Sequence, residues 1–417
     1  MRYDTIIIGG GFGGLMSGIR LAREGRRVAI ISAGKSALHF CSGSLEMWSG
    51  SREELLALKD SHPSHPYNKV GVQRLERYAS EACEIFRSAG IKFSGEMGRN
   101  HYRLTPIGVL KPAWLTMDEY VTFQSLSDLE NRRVVVVTFE GYLDFYPEFI
   151  AAGLRSRGVE CRVESVSLPE LEYIRKSATE MRAVNIARVM RGDTLARLAQ
   201  MIRKISSEED MVLLPAVFGL GEVGCFDTLS EMVGRPLRLA PTVSVSVPGI
   251  RAQRLLTEEF VRLGGEMIQG DRVVDFSLRD GRIESLSTEK HSDILFVAKD
   301  FILASGSFFG RGLIATPEAI CEPLFGLDVE AAAEREEWCS EHILFEQPFQ
   351  RFGVKTDDQL RPSINGCRVE NLYAVGSVLS GADAVKEGCG AGVVISTALM
   401  AAENILQVAT SSRREEE

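Results

Sequence analysis

Gly9-Gly10-Gly11-Phe12-Gly13-Gly14 lies between a short β-branched run, Tyr3–Ile8, and a segment whose apolar residues Leu15, Ile19 and Ala22 share one helical face. Gly25 ends that helix, and Val28–Ile31 reads as a second buried strand. A strand, a glycine turn, a helix and a strand make a βαβ unit with parallel strands. Gly9, Gly11 and Gly14 match Gly-x-Gly-x-x-Gly, the turn that lets backbone approach a pyrophosphate and aims a helix N-terminus at it. The stretch predicts an α/β, doubly wound, Rossmann-like domain holding a flavin or dinucleotide through Gly9, Gly10, Gly11, Gly13 and Gly14.

One strand later the sequence departs from that pattern. The second strand should end in Asp or Glu, whose carboxylate grips the adenosine ribose. Ser32 stands there, and a hydroxyl lacks the bidentate grip. Either adenosine is held another way or the ligand has none.

Two later stretches have the right neighbours for the same domain. Asp271–Leu278 and Arg282–Ser287 are strands joined by the turn signal Arg279-Asp280-Gly281. After them a short buried strand, Asp300–Ala304, runs into Ser305-Gly306, and its small residues Ala304 and Gly306 let backbone pass beside a cofactor. Near the end, Asn371–Val375 reads as a strand entering Gly376-Ser377. Gly388-Cys389-Gly390-Ala391-Gly392 then opens an apolar helix to about Val408, with a polar tail, Ser411–Glu417, expected to fray. A helix N-terminus at Gly390 is suited to stabilise the negative charge of a reduced flavin. Ser377 replaces the acid of the C-terminal flavin motif.

The chain's 417 residues leave room for a second domain. Texture changes near residues 52 and 243 suggest that 1–51, 243–310 and 361–417 build the flavin domain. Residues 52–242 then form an inserted mixed α/β domain, to which 311–360 return. In the insertion, strands are expected at Arg133–Thr138, Glu160–Ser165 and Val212–Val217, and helices at Phe145–Arg157 and across Leu171–Arg203; Ala252–Leu263 is expected to be helical as well. The net charge of −9 disfavours nucleic acid. The start of the chain does not read as a signal peptide, and Gly388–Ala402 is shorter than the roughly 20 residues a membrane span needs. Eight scattered cysteines without CxxC pairs point to no metal site and fit a reducing cytoplasm.

Ser36-Ala37-Leu38-His39-Phe40-Cys41-Ser42-Gly43-Ser44 follows the second strand, where a flavin ring would lie. Ser42, Gly43 and Ser44 are candidates to hold the ring or ribityl chain, and His39 is a candidate acid/base beside its commoner structural role. Ser36–Leu45, the opening Arg2–Gly14, the segment Leu168–Ala187 with the run Ala178–Arg188, and Pro248-Gly249-Ile250-Arg251 resemble the B-subunit family of anaerobic glycerol-3-phosphate dehydrogenase over most of the chain. The resemblance implies an FMN-type flavoprotein subunit, with FAD as the alternative. It implies two partners, a catalytic FAD subunit and an iron–sulfur subunit that anchors both to the inner membrane. It also implies oxidation of a small-molecule substrate, sn-glycerol 3-phosphate, to dihydroxyacetone phosphate, with electrons passing to quinone and then to fumarate or nitrate. The residues alone also admit a self-contained FAD oxidoreductase and a scaffold that has lost its cofactor. No catalytic residue is evident; Arg182, Arg188, Arg251 and Arg311 suit a phosphate or an ordinary ion pair.

Overall fold

The computed structural model describes every residue except Glu130, Asn131, Ala178, Glu209 and Glu417. Ala178, in one stretch that carries the family resemblance, and Glu417, at the end of the polar tail, therefore lie outside the described residues. The principal elements, in chain order, open with β1 (Arg2–Ile8), α1 (Phe12–Arg23), β2 (Val28–Ser32) and α2 (Val72–Ser88). The middle carries β3 (Arg133–Phe139), α3 (Pro147–Arg155), β4 (Glu160–Val166), α4 (Asp193–Ile205), β5 (Asp210–Pro215), α5 (Cys225–Val233) and β6 (Leu237–Ala240). The last part carries β7 (Glu266–Gln269), β8 (Val273–Arg279), β9 (Arg282–Thr288), β10 (Phe296–Leu303), β11 (Leu372–Ala374) and α6 (Gly390–Glu416).

The chain divides into two units, one made of 1–37, 46–91 and 255–417 and the other of 38–45 and 92–254. The first has a seven-stranded sheet in the order β7-β2-β1-β10-β9-β8, with β11 also paired to β10. β7, β2, β1, β10 and β11 are parallel, while β9 and β8 form an antiparallel hairpin at one edge. β2 is buried along its whole length and Ile6 and Ile7 of β1 are fully enclosed, as expected of central parallel strands covered on both faces. α1 packs against α6, and both sides of α1 are buried rather than one stripe.

Residues 52–91 read as polar and as leaving this domain, yet they stay in it. The charged residues of α2 face outward, while Leu75, Tyr78, Ala79, Ala82, Ile85 and Phe86 are buried and the helix packs on α6. Local composition shows the wet face of an amphipathic helix as strongly as the dry one. Residues 311–360 likewise belong to this unit.

α6 is continuous through Glu416, including most of the tail expected to fray. Its portion Gly390–Ala409 is long and apolar enough to cross a membrane by length and composition, which a search for uncharged runs misses. Two-thirds of that window is buried inside the protein, 67% by count, as in a core helix. Ile395, Ala398 to Ala402 and Ile405 have no exposure at all.

The second unit carries a parallel four-stranded sheet in the order β4-β3-β5-β6, together with two small three-stranded antiparallel sheets. The stretch expected to be helical across 171–203 is broken into Pro169–Arg175, Ala183–Val189 and α4.

Candidate functional site

The glycine turn is built by close approach. The Gly9 N–H donates to the Ile31 carbonyl at 2.8 Å, and the Ala304 N–H donates to that of Ile8 at 2.8 Å, so the ends of β1, β2 and β10 meet around the turn. Gly9 has φ +114°, and a methyl group there would collide with the Ala304 carbonyl. A methyl on Gly14 would collide with the carbonyl oxygen of Gly9, so α1 can lie this close to β1 only with glycine there. A methyl on Gly10 would press on Ser32 at 2.8 Å.

Gly11 differs. Its φ of −81° and ψ of −168° are open to any residue, which removes positive φ as the reason for glycine. A methyl group there would meet only Ser36 Oγ, at 3.7 Å. Gly11 is the N-cap of α1; no side chain caps the helix and no acid lies in its first turn. Unpaired first-turn N–H groups and the positive end of the helix dipole thus border a space that a side chain would fill, which fits a flavin's phosphates.

The other first-unit candidates converge on the same place. A methyl on Gly13 would lie 3.5 Å from Val375 and Val394 and 3.9 Å from Ala304. The Val375 N–H donates to Leu303 O at 2.9 Å, and the Gly376 N–H donates to Thr397 Oγ1 at 2.9 Å, which fastens the end of β11 to α6. Ser377 is exposed, and its Oγ lies 3.8 Å from a methyl placed on Gly306. Beside Gly306, the Ser305 hydroxyl is buried with no partner among the described residues, a polar atom left for a ligand to satisfy. α6 begins at Gly390 with no acid in its first turn. Ser32 donates its hydroxyl to Gly34 O at 3.1 Å, leaving only lone pairs to offer a ribose.

Ser42, Gly43 and Ser44 belong to the second unit. There a methyl on Gly43 would press on the Tyr120 ring at 2.6 Å, and Ser44 Oγ accepts from Thr116 Oγ1 at 2.9 Å in a buried chain that includes His101. The His39 carbonyl accepts from the Ser246 N–H at 2.7 Å. Two of the arginines are engaged: Arg182 pairs with buried Asp144 at 2.6 Å, and Arg251 pairs with Glu119 at 2.5 Å. Arg188 and Arg311 are exposed.

Two features escaped the sequence reading. The second unit holds another Gly-x-Gly-x-x-Gly between a strand and a helix, Gly219-Leu220-Gly221-Glu222-Val223-Gly224, ahead of α5. It is unlike the first. A methyl on Gly219 would meet Arg251 at 2.6 Å and one on Gly221 the Arg188 carbonyl at 3.0 Å, while Glu222 and Asp227 place acids beside the helix start. Gly219 and Gly221 serve packing, and the acids repel phosphate.

The second feature is a buried cluster just ahead of α6. Glu387 accepts from His65 Nε2 at 3.3 Å, Arg351 Nη1 at 2.8 Å, the Asp383 N–H at 2.9 Å and the Cys389 thiol at 3.5 Å. Burial alone would raise the Glu387 carboxyl, but the bonds from His65 and Arg351 outweigh it and hold the group at about 2. Burial and the nearby Glu387 charge push the Cys389 thiol well above its ordinary range, so it remains S–H. His65, Glu387 and Cys389 are close enough together to suggest a metal centre. The proton on His65 decides otherwise. Its Nδ1 accepts from the Tyr67 N–H at 3.1 Å, so the proton sits on Nε2, the atom facing Glu387, and no lone pair is left there for a metal. The cluster is a satisfied charge network that fixes the loop entering α6. No spacing rule in the sequence brings residue 65 to residue 387.

Residues 4–393 match the family model of an FAD binding domain. The B-subunit of anaerobic glycerol-3-phosphate dehydrogenase from Yersinia pseudotuberculosis is 40% identical, the alignment covering 97% of this chain and 98% of that protein. The protein of the same name from Pectobacterium carotovorum is 38% identical over 98% and 99%. Among solved structures, a variant of FrdA from E. coli quinol fumarate reductase is similar at 9% identity and TM-score 0.44, covering 99% of this chain and 71% of that one. The match indicates a flavin cofactor, which in that domain family is FAD; it does not support FMN as the first choice.

Proposed function

The chain belongs to the B-subunit family of anaerobic glycerol-3-phosphate dehydrogenase, and on that premise we propose that it is a flavoprotein subunit of a multi-subunit dehydrogenase. The reaction proposed is oxidation of sn-glycerol 3-phosphate to dihydroxyacetone phosphate, with electrons delivered to a quinone and onward to fumarate or nitrate. The observation that carries the flavin reading is the open face at Gly11, an uncapped helix start where a methyl group meets nothing nearer than 3.7 Å. The proposed partners are a catalytic FAD subunit and an iron–sulfur subunit holding the assembly at the inner face of the membrane.

The cofactor proposed is FAD. A turn that brings Gly9, Gly11 and Gly14 to one helix start suits two phosphates better than one. When bound, the flavin supplies the redox chemistry. The residues of this chain bind and orient it. Gly9–Gly14 receive the phosphates, Ser32 offers one acceptor to a ribose, Ala304–Gly306 and Gly376–Ser377 line its path, and the Gly390 helix start favours negative charge. Ser32 in place of a carboxylate favours FMN as the second reading.

The test begins with purification of the complex from cells expressing all its subunits. The flavin released by acid from this chain is then identified by mass, and bleaching by sn-glycerol 3-phosphate is followed without oxygen. FAD in this chain, with bleaching that a quinone analogue reverses, is the expected result. A chain without flavin, or a complex indifferent to glycerol 3-phosphate, would sink the proposal.

A further inference from the structure

Ile343, Leu344 and Phe345 are adjacent apolar residues exposed to 89, 93 and 62%. Such an apolar tip marks a contact site more often than a free surface. It does not sit on a loose segment. The Phe349 N–H donates to the Trp338 carbonyl at 3.0 Å and closes 338–349 into a compact loop with joined ends. Inside it, the Ser340 N–H donates to Gln347 Oε1 at 3.1 Å, and Gln347 Nε2 donates to the carbonyls of His342 and Phe345 at 2.9 and 3.2 Å. The Phe345 N–H donates to His342 O at 3.0 Å. Lys386 and Arg351 both hold Glu346. Under the loop, Ile320, Trp338 and Phe352 form a small buried cluster. The loop is therefore held in shape while its tip stays in water, so little ordering cost remains to be met on binding.

The rim decides the kind of partner. Glu334, Glu336, Glu337 and Glu341 are exposed and form no ion pair among the described residues. Arg351 and Lys386 are taken up by Glu346, and Arg335 lies over the Trp338 ring at 5.5 Å and donates to Pro317 O at 3.2 Å. Exposed carboxylates this near to the tip along the chain are repelled by an anionic membrane surface. A symmetric contact with a second copy would set them against their own counterparts. What fits is a protein surface with an apolar pocket bordered by lysine or arginine.

We propose that the 338–349 loop docks this chain onto another subunit of its dehydrogenase, with Ile343, Leu344 and Phe345 as the apolar anchor and the carboxylates steering the approach. The inference rests on the reading of this chain as a subunit of such a complex.

The test uses the full chain, tagged and co-expressed with the catalytic and iron–sulfur subunits. Leu344→Asp and the milder Leu344→Ser are compared with wild type for recovery of those named subunits and for their dissociation constants. Both substitutions face water, so flavin content and thermal midpoint should match wild type. Affinity for a partner subunit should fall at least about tenfold for Leu344→Asp, as for other buried interface anchors. Glu341→Lys should slow association and weaken its salt dependence. A photo-crosslinker at position 344 should attach to one of the two subunits. Unchanged affinity in both Leu344 variants would overturn the inference. So would binding to phosphatidylglycerol vesicles that Leu344→Asp abolishes, or wild-type self-association that it abolishes. Failure of the functional reading shows differently. If Leu344→Asp releases the subunits but the complex ignores glycerol 3-phosphate, the docking surface stands and the substrate assignment falls. If wild type recovers neither subunit, both fall.

Discussion

Replacing Gly11 with valine separates a phosphate cradle from a structural turn. The backbone at Gly11, φ −81° and ψ −168°, is one that valine adopts readily. No atom lies within 3.7 Å of the first added carbon, so no packing is lost. The cost to the apo-protein is therefore that of a poor N-cap, about 0.5–1 kcal/mol. The cost to the ligand is much larger, because the side chain fills the space in front of the uncapped helix start. A flavin at a hundred times its dissociation constant adds about 2.7 kcal/mol to stability. For a domain of this size that is a rise of about 5–10 °C in thermal midpoint. Wild type should show that rise on addition of flavin, and Gly11→Val should show little of it. The assay is flavin absorbance per mole of monodisperse protein, with thermal midpoints measured with and without added FAD. Two controls bracket it. Gly14→Ala drives a methyl group into the Gly9 carbonyl and should destabilise the fold itself by about 1–3 kcal/mol or more. Gly281→Val sits at φ +73° in the distal hairpin; it should cost about 1–2 kcal/mol and leave flavin stoichiometry intact. If Gly11→Val retains full flavin and the full thermal shift, the reasoning about the open face is wrong, and the phosphate site belongs elsewhere, with the Gly390 helix start as the next place to look.

Three further outcomes follow from the same structure. Ser32→Asp restores a carboxylate at the end of β2 and should tighten FAD by about tenfold while leaving FMN unchanged, read by calorimetry; equal effects on both flavins would remove adenosine from that end of the site. Glu387, with an ordinary value of 4.5 and a folded value of about 2, stabilises the fold fully above its unfolded value, and that stability is lost as pH falls from about 5 towards 2. Glu387→Gln should be less stable by about 3 kcal/mol at pH 7 and should show a flatter acid limb in thermal midpoint against pH; parallel limbs would refute the assignment. Asp300 is pushed up to about 6 by burial, against the pull of Arg282 and Arg26, so its contribution has the opposite sign: stability is present below about 4 and lost as pH rises through 6. Asp300→Asn should therefore be more stable than wild type by about 1–3 kcal/mol at pH 8 and equal to it at pH 4, a difference that urea titration at the two pH values measures directly.

The βαβ opening was legible because each of its signals is local. A buried parallel strand is a continuous apolar run, and the glycines follow it directly. The final helix was legible for the same reason, apart from its last turns, since Ile395 to Ile405 leave little polar surface to interrupt the pattern. The Asp280-Gly281 hairpin declared itself through a two-residue turn, in which Asp280 and Gly281 have φ of +50° and +73°. Domain membership was not legible. Texture put 52–91 outside the first domain, because the exposed face of α2 carries most of its charge while the buried face is spread over seventeen residues at helical spacing. Nor could a motif distinguish the two Gly-x-Gly-x-x-Gly turns. What differs is not the pattern but what stands opposite the middle glycine, Ser36 Oγ at 3.7 Å for Gly11 and the Arg188 carbonyl at 3.0 Å for Gly221.

Residue identity and local spacing were enough for the fold class, for the position of the glycine turn at Gly9–Gly14 and for the lack of an acid at Ser32 and Ser377, since each depends on one strand or one turn. Packing alone reveals that Gly11 faces open space, that the Ser305 hydroxyl next to Gly306 is buried without a partner among the described residues, and that His65, Arg351 and Glu387 meet. The physical reason is range. Backbone propensity and periodicity act over a few residues, whereas a site is made of atoms brought within about 3–4 Å by packing, from chain positions whose separation carries no information about their contact.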